Sequence, residues 1–260
     1  MKIPNKQILV TGSDGQLGKS LQDIASDFSS YDFIFTTKKE LDITDKDEVT
    51  SFLRGHKIAY CINCAAYTKV DQAEQEPEKA LEINAEAVNN LAQLCKRFEI
   101  VLIHISTDYV FDGTKKTPYT VQDSANPINV YGKSKLLGES YIQEQMQRYF
   151  IIRTSWLYHK KHGNNFYKTI LRKAQNAEDL KVTSAQIGCP TNAGNLAKFI
   201  MTLILENKNF GIYHFSDKEP MTWYQFAERI LKEHKLQDTI HLTKQEFKTL
   251  APRPAYSVLE

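Results

Sequence analysis

Short apolar runs recur along the chain, and segments of a different period separate them. The run KQILVT over 6–11 ends at Gly12, as a buried parallel strand running into a turn does. Leu17, Leu21, Ile24 and Ala25 follow at helical spacing. Runs over 33–36, 58–65, 100–106 and 149–154 predict four further strands. Pro77 opens a long helix whose apolar face is Ala80, Ile83, Ala87, Leu91, Leu94 and Phe98. A second long helix is predicted over 131–147. Strands alternating with helices predict an α/β fold, a doubly wound parallel sheet with right-handed crossovers.

Beyond Trp156 the pattern loosens. Helices are predicted near 165–174, 193–206 and 222–234, and GIYHF over 211–215 is a strand that can return to the main sheet. No repeat or linker interrupts the chain. The expected organisation is a sheet domain over 1–155 and a smaller, interleaved C-terminal substrate lobe over 156–260.

The 260 residues are 42% hydrophobic and 25% charged, which excludes wholesale disorder. Lys and Arg number 33 against 31 Asp and Glu, with no long block of one sign. A nucleic-acid partner is therefore not expected. The longest apolar stretch, over 199–205, falls well short of the roughly 20 residues of a membrane span. No leader is read at the N-terminus, so a cytoplasmic protein without a membrane partner is expected. Cys61 and Cys64 form a CxxC inside an apolar strand. Without a second pair or nearby histidines it reads as buried thiols, and no metal is expected.

Gly12, Gly15 and Gly18 form GxxGxxG directly after the first strand. Such a turn needs backbone freedom, and it lets a pyrophosphate approach the N–H groups of the following helix. This predicts a dinucleotide-binding, Rossmann-type domain over 1–155. The second strand ends with Thr36, Thr37, Lys38 and Lys39, and no carboxylate precedes Glu40. An acid there would hold a ribose hydroxyl, whereas Lys38 suits a 2′-phosphate. NADPH is expected, with NADH the weaker alternative.

The fourth strand runs into Thr107, and Tyr131 and Lys135 lie at i and i+4 of a predicted helix. A nearby ammonium lowers the pKa of a phenol, so Tyr131 can act as acid–base at a carbonyl oxygen that Thr107 holds. The predicted catalytic residues are Thr107, Tyr131 and Lys135.

These features resemble the extended short-chain dehydrogenase/reductases. The segments TGSDGQLG, LDIT, NCAAYTKVDQAE, NAEAVNNLA, STDYVFDG, PINVYGKSK, RTSWLY, GNNF and GCPT resemble, more closely, the dTDP-4-dehydrorhamnose reductase family. The resemblance implies an NADPH-preferring reduction of a 4-keto-6-deoxysugar nucleotide to dTDP-L-rhamnose, for cell-surface polysaccharide. It places Gly15, Gln16 and Leu17 at the pyrophosphate, and Asp42 and Ile43 at the adenine end. Ala65, Ala66, Tyr67 and Thr68 fall on the nicotinamide side. Asp108, Tyr109 and Trp156 would line the sugar pocket. Asn165 is either a helix cap or a nucleotide contact, and Asp42 taken alone reads as an acid near a helix cap.

The chain departs from the family at Thr37, where an Asp is frequent, at Asn192 and Asn195, and at the His159–His162 loop. The family pattern also continues past Glu260 with a helical tail that carries dimer and magnesium contacts in some members. A homodimer is therefore left open. The rivals are an epimerase or dehydratase of the same superfamily and a non-catalytic NADP-binding regulatory subunit. The latter would be expected to lose Tyr131 or Lys135.

Overall fold

In the computed structural model, which describes residues 5–238 and 240–260, alternation within the strands dictates the layers. The strands are β1 (Lys6–Thr11), β2 (Tyr31–Thr36), β3 (Ile58–Asn63), β4 (Val101–Thr107), β5 (Tyr149–Thr154) and β6 (Gly211–Phe215). They form one parallel sheet in the order β6-β5-β4-β3-β1-β2. Residues 1–4, where the reading for a leader begins, lie outside the described residues.

Side chains on opposite faces of each strand enter opposite cores. Ile8, Val10, Ile62 and Ile152 face one helical layer, and Leu9, Cys61, Leu102 and Ile151 face the other. The first layer holds α1 (Gln16–Ile24) and α6 (Ala193–Leu205). The second holds α2 (Lys46–Arg54), α3 (Ala87–Arg97) and α4 (Val130–Gln145). Helices on both faces are what a parallel sheet needs to be buried.

The strand order reverses between β1 and β3, so the chain leaves β1 and β3 in opposite directions. That opens a crevice beyond their carboxyl ends. Helix α2 and a π-turn were among the elements not read from the sequence. Helix α2 begins at the cap Asp45, whose carboxylate accepts from the N–H groups of Asp47 and Glu48. The long helix predicted from Pro77 is broken by a π-turn over Glu82–Glu86.

The lobe is built on α5 (Phe166–Gln175) and α7 (Trp223–Glu233), around Tyr167, Ile170, Phe226 and Ile230. Asn165 caps α5, and a Thr222–Gln225 capping box starts α7. The apolar face of α6, including Leu196, Ile200, Met201 and Ile204, covers the central sheet, and β6 pairs with β5. Segment 193–215 thus packs with the sheet, apart from the cluster around α5 and α7. No described helix is long and apolar enough to cross a membrane.

Candidate active site

The first glycine turn folds as its backbone requires. Gly12 has φ +63, and a Cβ there would lie 2.7 Å from the Ala65 backbone nitrogen. At Gly18 a Cβ would lie 2.4 Å from the Cα of Ser13, so the third glycine serves helix–strand packing. Gly15 caps α1 without a side-chain bond, and the first turn holds no acid. Its N–H groups and positive helix end are left for an anion.

This turn opens into a cavity of about 640 Å³, which Gly12, Gly15, Gln16, Leu17 and Gly18 line on one side. Thr107, Asp108, Tyr109, Tyr131, Lys135 and Trp156 line the other. Ala66, Thr68 and Asn165 also border it. A smaller cavity of about 210 Å³ shares Gly12 and Gly15 and extends to Lys38, Asp42, Ile43 and Ala65. A dinucleotide fits this pair of spaces, because its two halves diverge from a pyrophosphate at a helix N-terminus.

Tyr67 is an exception among the expected contacts. Its ring is buried with Ala73 and Ala80, and its hydroxyl donates to Glu76 at 3.1 Å. The loop is pinned from behind by Asn84 of the π-turn. The Asn84 amide accepts from the Tyr67 N–H at 2.9 Å and donates to its carbonyl at 3.0 Å. Asp42 does not cap α2. Its carboxylate takes the N–H and hydroxyl of Thr44 and pairs with Lys38 at 3.2 Å. Burial works against this charge, but those contacts hold Asp42 below the usual carboxylate range. Glu40, beyond the strand end, folds back onto the Thr37 N–H and hydroxyl, both at 2.8 Å, and lines neither cavity.

Thr107 and Tyr131 face each other across the cavity wall, with Tyr109 edge-on to Tyr131 at 5.9 Å. Burial pushes the Tyr131 phenol well up, and the Thr107 hydroxyl opposes that only in part. Lys135, which lines the same cavity, donates from Nζ to the Ile105 carbonyl at 2.7 Å. Burial pulls Lys135 down to about 8, although Glu139 and Cys64 favour its charged form. Burial likewise pushes the Asp108 carboxyl up to about 7. Thr107 donates to its Oδ1 at 3.1 Å, and its buried Oδ2 is unpartnered.

Trp156 adopts φ 47 and stacks on Trp223 at 3.6 Å. Gly188 leaves room for the indole, since a Cβ there would lie 2.5 Å from it. Asn165 takes the first alternative, the helix cap, and its amide also reaches the glycine turn. It caps α5 and donates to Gln16 Oε1 at 2.7 Å, tying the lobe to the glycine turn. The His159–His162 loop joins this clasp through a His162–Asp23 contact of 2.8 Å. Asp23, His159 and His162 bring three ligand-type atoms together. The His159 Nδ1 lone pair is engaged by the N–H groups of Lys161 and His162, both at 3.0 Å.

Residues missed in the sequence include Trp223 and Arg253. Arg253 pairs with Asp71 at 2.6 Å and lies over the Tyr109 ring. Lone residues far along the chain carry no spacing signal toward a site. Both line a second cavity of about 390 Å³, which Tyr109, Phe166 and Trp223 share with the first. Lys173 and Lys181 also line it.

A family profile described as the RmlD substrate binding domain matches residues 6–260. A dTDP-4-dehydrorhamnose reductase from Aggregatibacter actinomycetemcomitans is 40% identical, over 98% of this chain and 90% of that one. The spore coat polysaccharide biosynthesis protein SpsK of Bacillus subtilis is also 40% identical, over 97% of this chain and 88% of its own. Among solved structures, a Bacillus anthracis dTDP-4-dehydrorhamnose reductase in complex with NADP superposes with a TM-score of 0.94. It is 38% identical, covering 98% of this chain and 90% of the other.

Proposed function

The chain belongs to the dTDP-4-dehydrorhamnose reductase family, and from that premise we propose that it reduces the 4-keto group of dTDP-4-dehydro-L-rhamnose with NADPH. The observation that carries the reading is the single cavity in which Thr107, Tyr131 and Lys135 face the bare N-terminus of α1. The reading includes a cytoplasmic location.

When bound, NADPH supplies the hydride that reaches C4 of the sugar. The Thr107 hydroxyl holds the carbonyl oxygen, and Tyr131 gives that oxygen its phenolic proton. The phenol is protonated at neutral pH; burial raises its pKa further and so opposes the transfer. Lys135 in its charged form stabilises the phenolate left behind. Backbone N–H groups of the glycine turn hold the pyrophosphate. Lys173, Lys181 and Arg253 in the second cavity offer cations to the substrate diphosphate. The direct test is NADPH oxidation with this substrate beside other keto-sugar nucleotides. Turnover only with a different nucleotide sugar would refute the substrate assignment.

Lys38 is proposed to select NADPH through the 2′-phosphate. It is largely exposed and already paired with Asp42, so its contribution is modest. Lys38→Ala is expected to lower kcat/KM for NADPH about fivefold, roughly the worth of one exposed charge contact, with NADH use unchanged. Lys39 lines neither cavity, and Lys39→Ala should leave the preference alone. An NADH preference in the wild type would remove the basis of this assignment.

Trp156 is proposed to cover the sugar. Trp156→Ala removes the proposed indole–sugar contact, and an aromatic contact of this kind is worth about 1 kcal/mol. KM for the sugar nucleotide should rise about five- to tenfold, with NADPH affinity nearly constant. Titrating each ligand separately and recording Tm checks this. Loss of both affinities with a large fall in Tm would make Trp156 a packing residue instead.

A further inference from the structure

A line of buried polar side chains runs inward from Lys135, and the steps above do not use it. His104 on β4 has no exposed surface. Its Nδ1 lies 3.2 Å from Asn63 Nδ2, and its Nε2 lies 3.1 Å from Lys135 Nζ. Asn63 is oriented by its other bonds. Its Oδ1 accepts from the Ala65 backbone N–H at 3.2 Å and from the Thr11 hydroxyl at 2.7 Å. A backbone N–H can only donate, so the amide atom facing it is the oxygen. The Asn63 NH₂ therefore faces His104, and His104 Nδ1 must accept.

Burial and the neighbouring Lys135 charge hold the His104 ring well below the usual histidine range, so it is neutral. A neutral imidazole carries one proton. With Nδ1 accepting, that proton sits on Nε2 and points at Lys135. An ammonium has no lone pair to receive it, whereas an amine has one. The amine can still donate to the Ile105 carbonyl at 2.7 Å.

We propose that His104 is a positioning residue for the reduction: its Nε2–H bonds the neutral amine of Lys135, lowers the pH at which Lys135 loses its proton, and so sets the alkaline limit of activity. The kinetic consequence rests on the reductase reading; the hydrogen bond does not. Other groups around Lys135 do not supply this effect. On α4, Glu139 favours the ammonium, and Arg153 of β5 partly neutralises it. Cys64, after β3, also favours the charged form if ionised, but burial pushes its thiol far up. Tyr131 is likewise pushed up. Asp108 titrates earlier, near 7. Loss of the Lys135 charge removes the group that stabilises the Tyr131 phenolate, so activity falls as pH rises through the Lys135 pKa.

His104→Asn and His104→Leu both remove the N–H that reaches Lys135. In pH profiles of kcat/KM, the alkaline pKa should rise by about one unit, the size one hydrogen bond gives. A limb that stays in place or moves down would overturn the proposal, since His104 would then merely pack or accept from the ammonium. A second readout needs no variant: nitrogen NMR of the histidine-labelled wild-type protein. His104 should show a protonated Nε2 and a bare Nδ1 across about pH 6–9, and a protonated Nδ1 would overturn the proposal. If wild type shows this tautomer but no turnover, the reductase reading fails and the hydrogen bond stands.

Discussion

Tyr131→Phe is expected to lower kcat by about 10²–10⁴-fold, the usual worth of a positioned proton donor, while NADPH still binds. The substitution keeps the ring, which packs beside Tyr67 and Ala73 and meets Tyr109 edge-on. Only the hydroxyl is lost. The expected Tm is therefore close to wild type, and KM should change less than kcat, because the proton is transferred in the transition state. Paired measurements of turnover and NADPH affinity check this. Residual activity above about a tenth would contradict the assignment, being far outside that range. Its pH profile would then identify a substitute. A limb near 7 would point to Asp108, whose buried carboxyl titrates there.

Whether a feature was legible in the sequence depended on whether local chemistry forces it. The glycine turn was readable because φ +63 at Gly12 and the contact at Gly18 admit little else. The main strands were readable because both faces of a parallel sheet are buried, leaving near-continuous apolar runs such as IVLIHIS. The π-turn at Glu82–Glu86 was not, because its cause is distant: Asn84 reaches across to the Tyr67 loop and to Ser134. Lys135 lines the cavity with Tyr131, but its contacts on β4 were not read. Helical spacing places Tyr131 and Lys135 on one face, yet says nothing of a carbonyl and an imidazole waiting on β4. Trp223 escaped for the same reason. Its partner Trp156 lies in a different segment of the chain, and only the fold brings the two rings to 3.6 Å.

Glu139→Gln is expected to destabilise the protein by about 3–5 kcal/mol, because it leaves a buried guanidinium without its counter-charge. Glu139 is fully buried and Arg153 nearly so. Arg153 Nε lies 3.0 and 3.1 Å from the two carboxylate oxygens, and Nη2 lies 2.7 Å from Oε2. Ser106 donates to the same carboxylate. The pair thus joins α4, which carries Tyr131 and Lys135, to β4 and β5. In urea the midpoint should fall with an unchanged m-value, and Tm should drop on the order of 10 °C. The double variant Glu139→Leu/Arg153→Met should recover most of the loss, since apolar replacement of a whole buried pair is frequently near neutral. A single variant as stable as wild type would show that the pair does not hold these elements together. The same substitution bears on Lys135, one helical turn away. Glu139 favours the ammonium, so its removal should shift the alkaline limb of activity downward, opposite to the shift expected for His104→Leu. Opposed shifts from two neighbours of one amine would identify Lys135 as the titrating group. Shifts in the same direction would mean that the limb belongs to another residue.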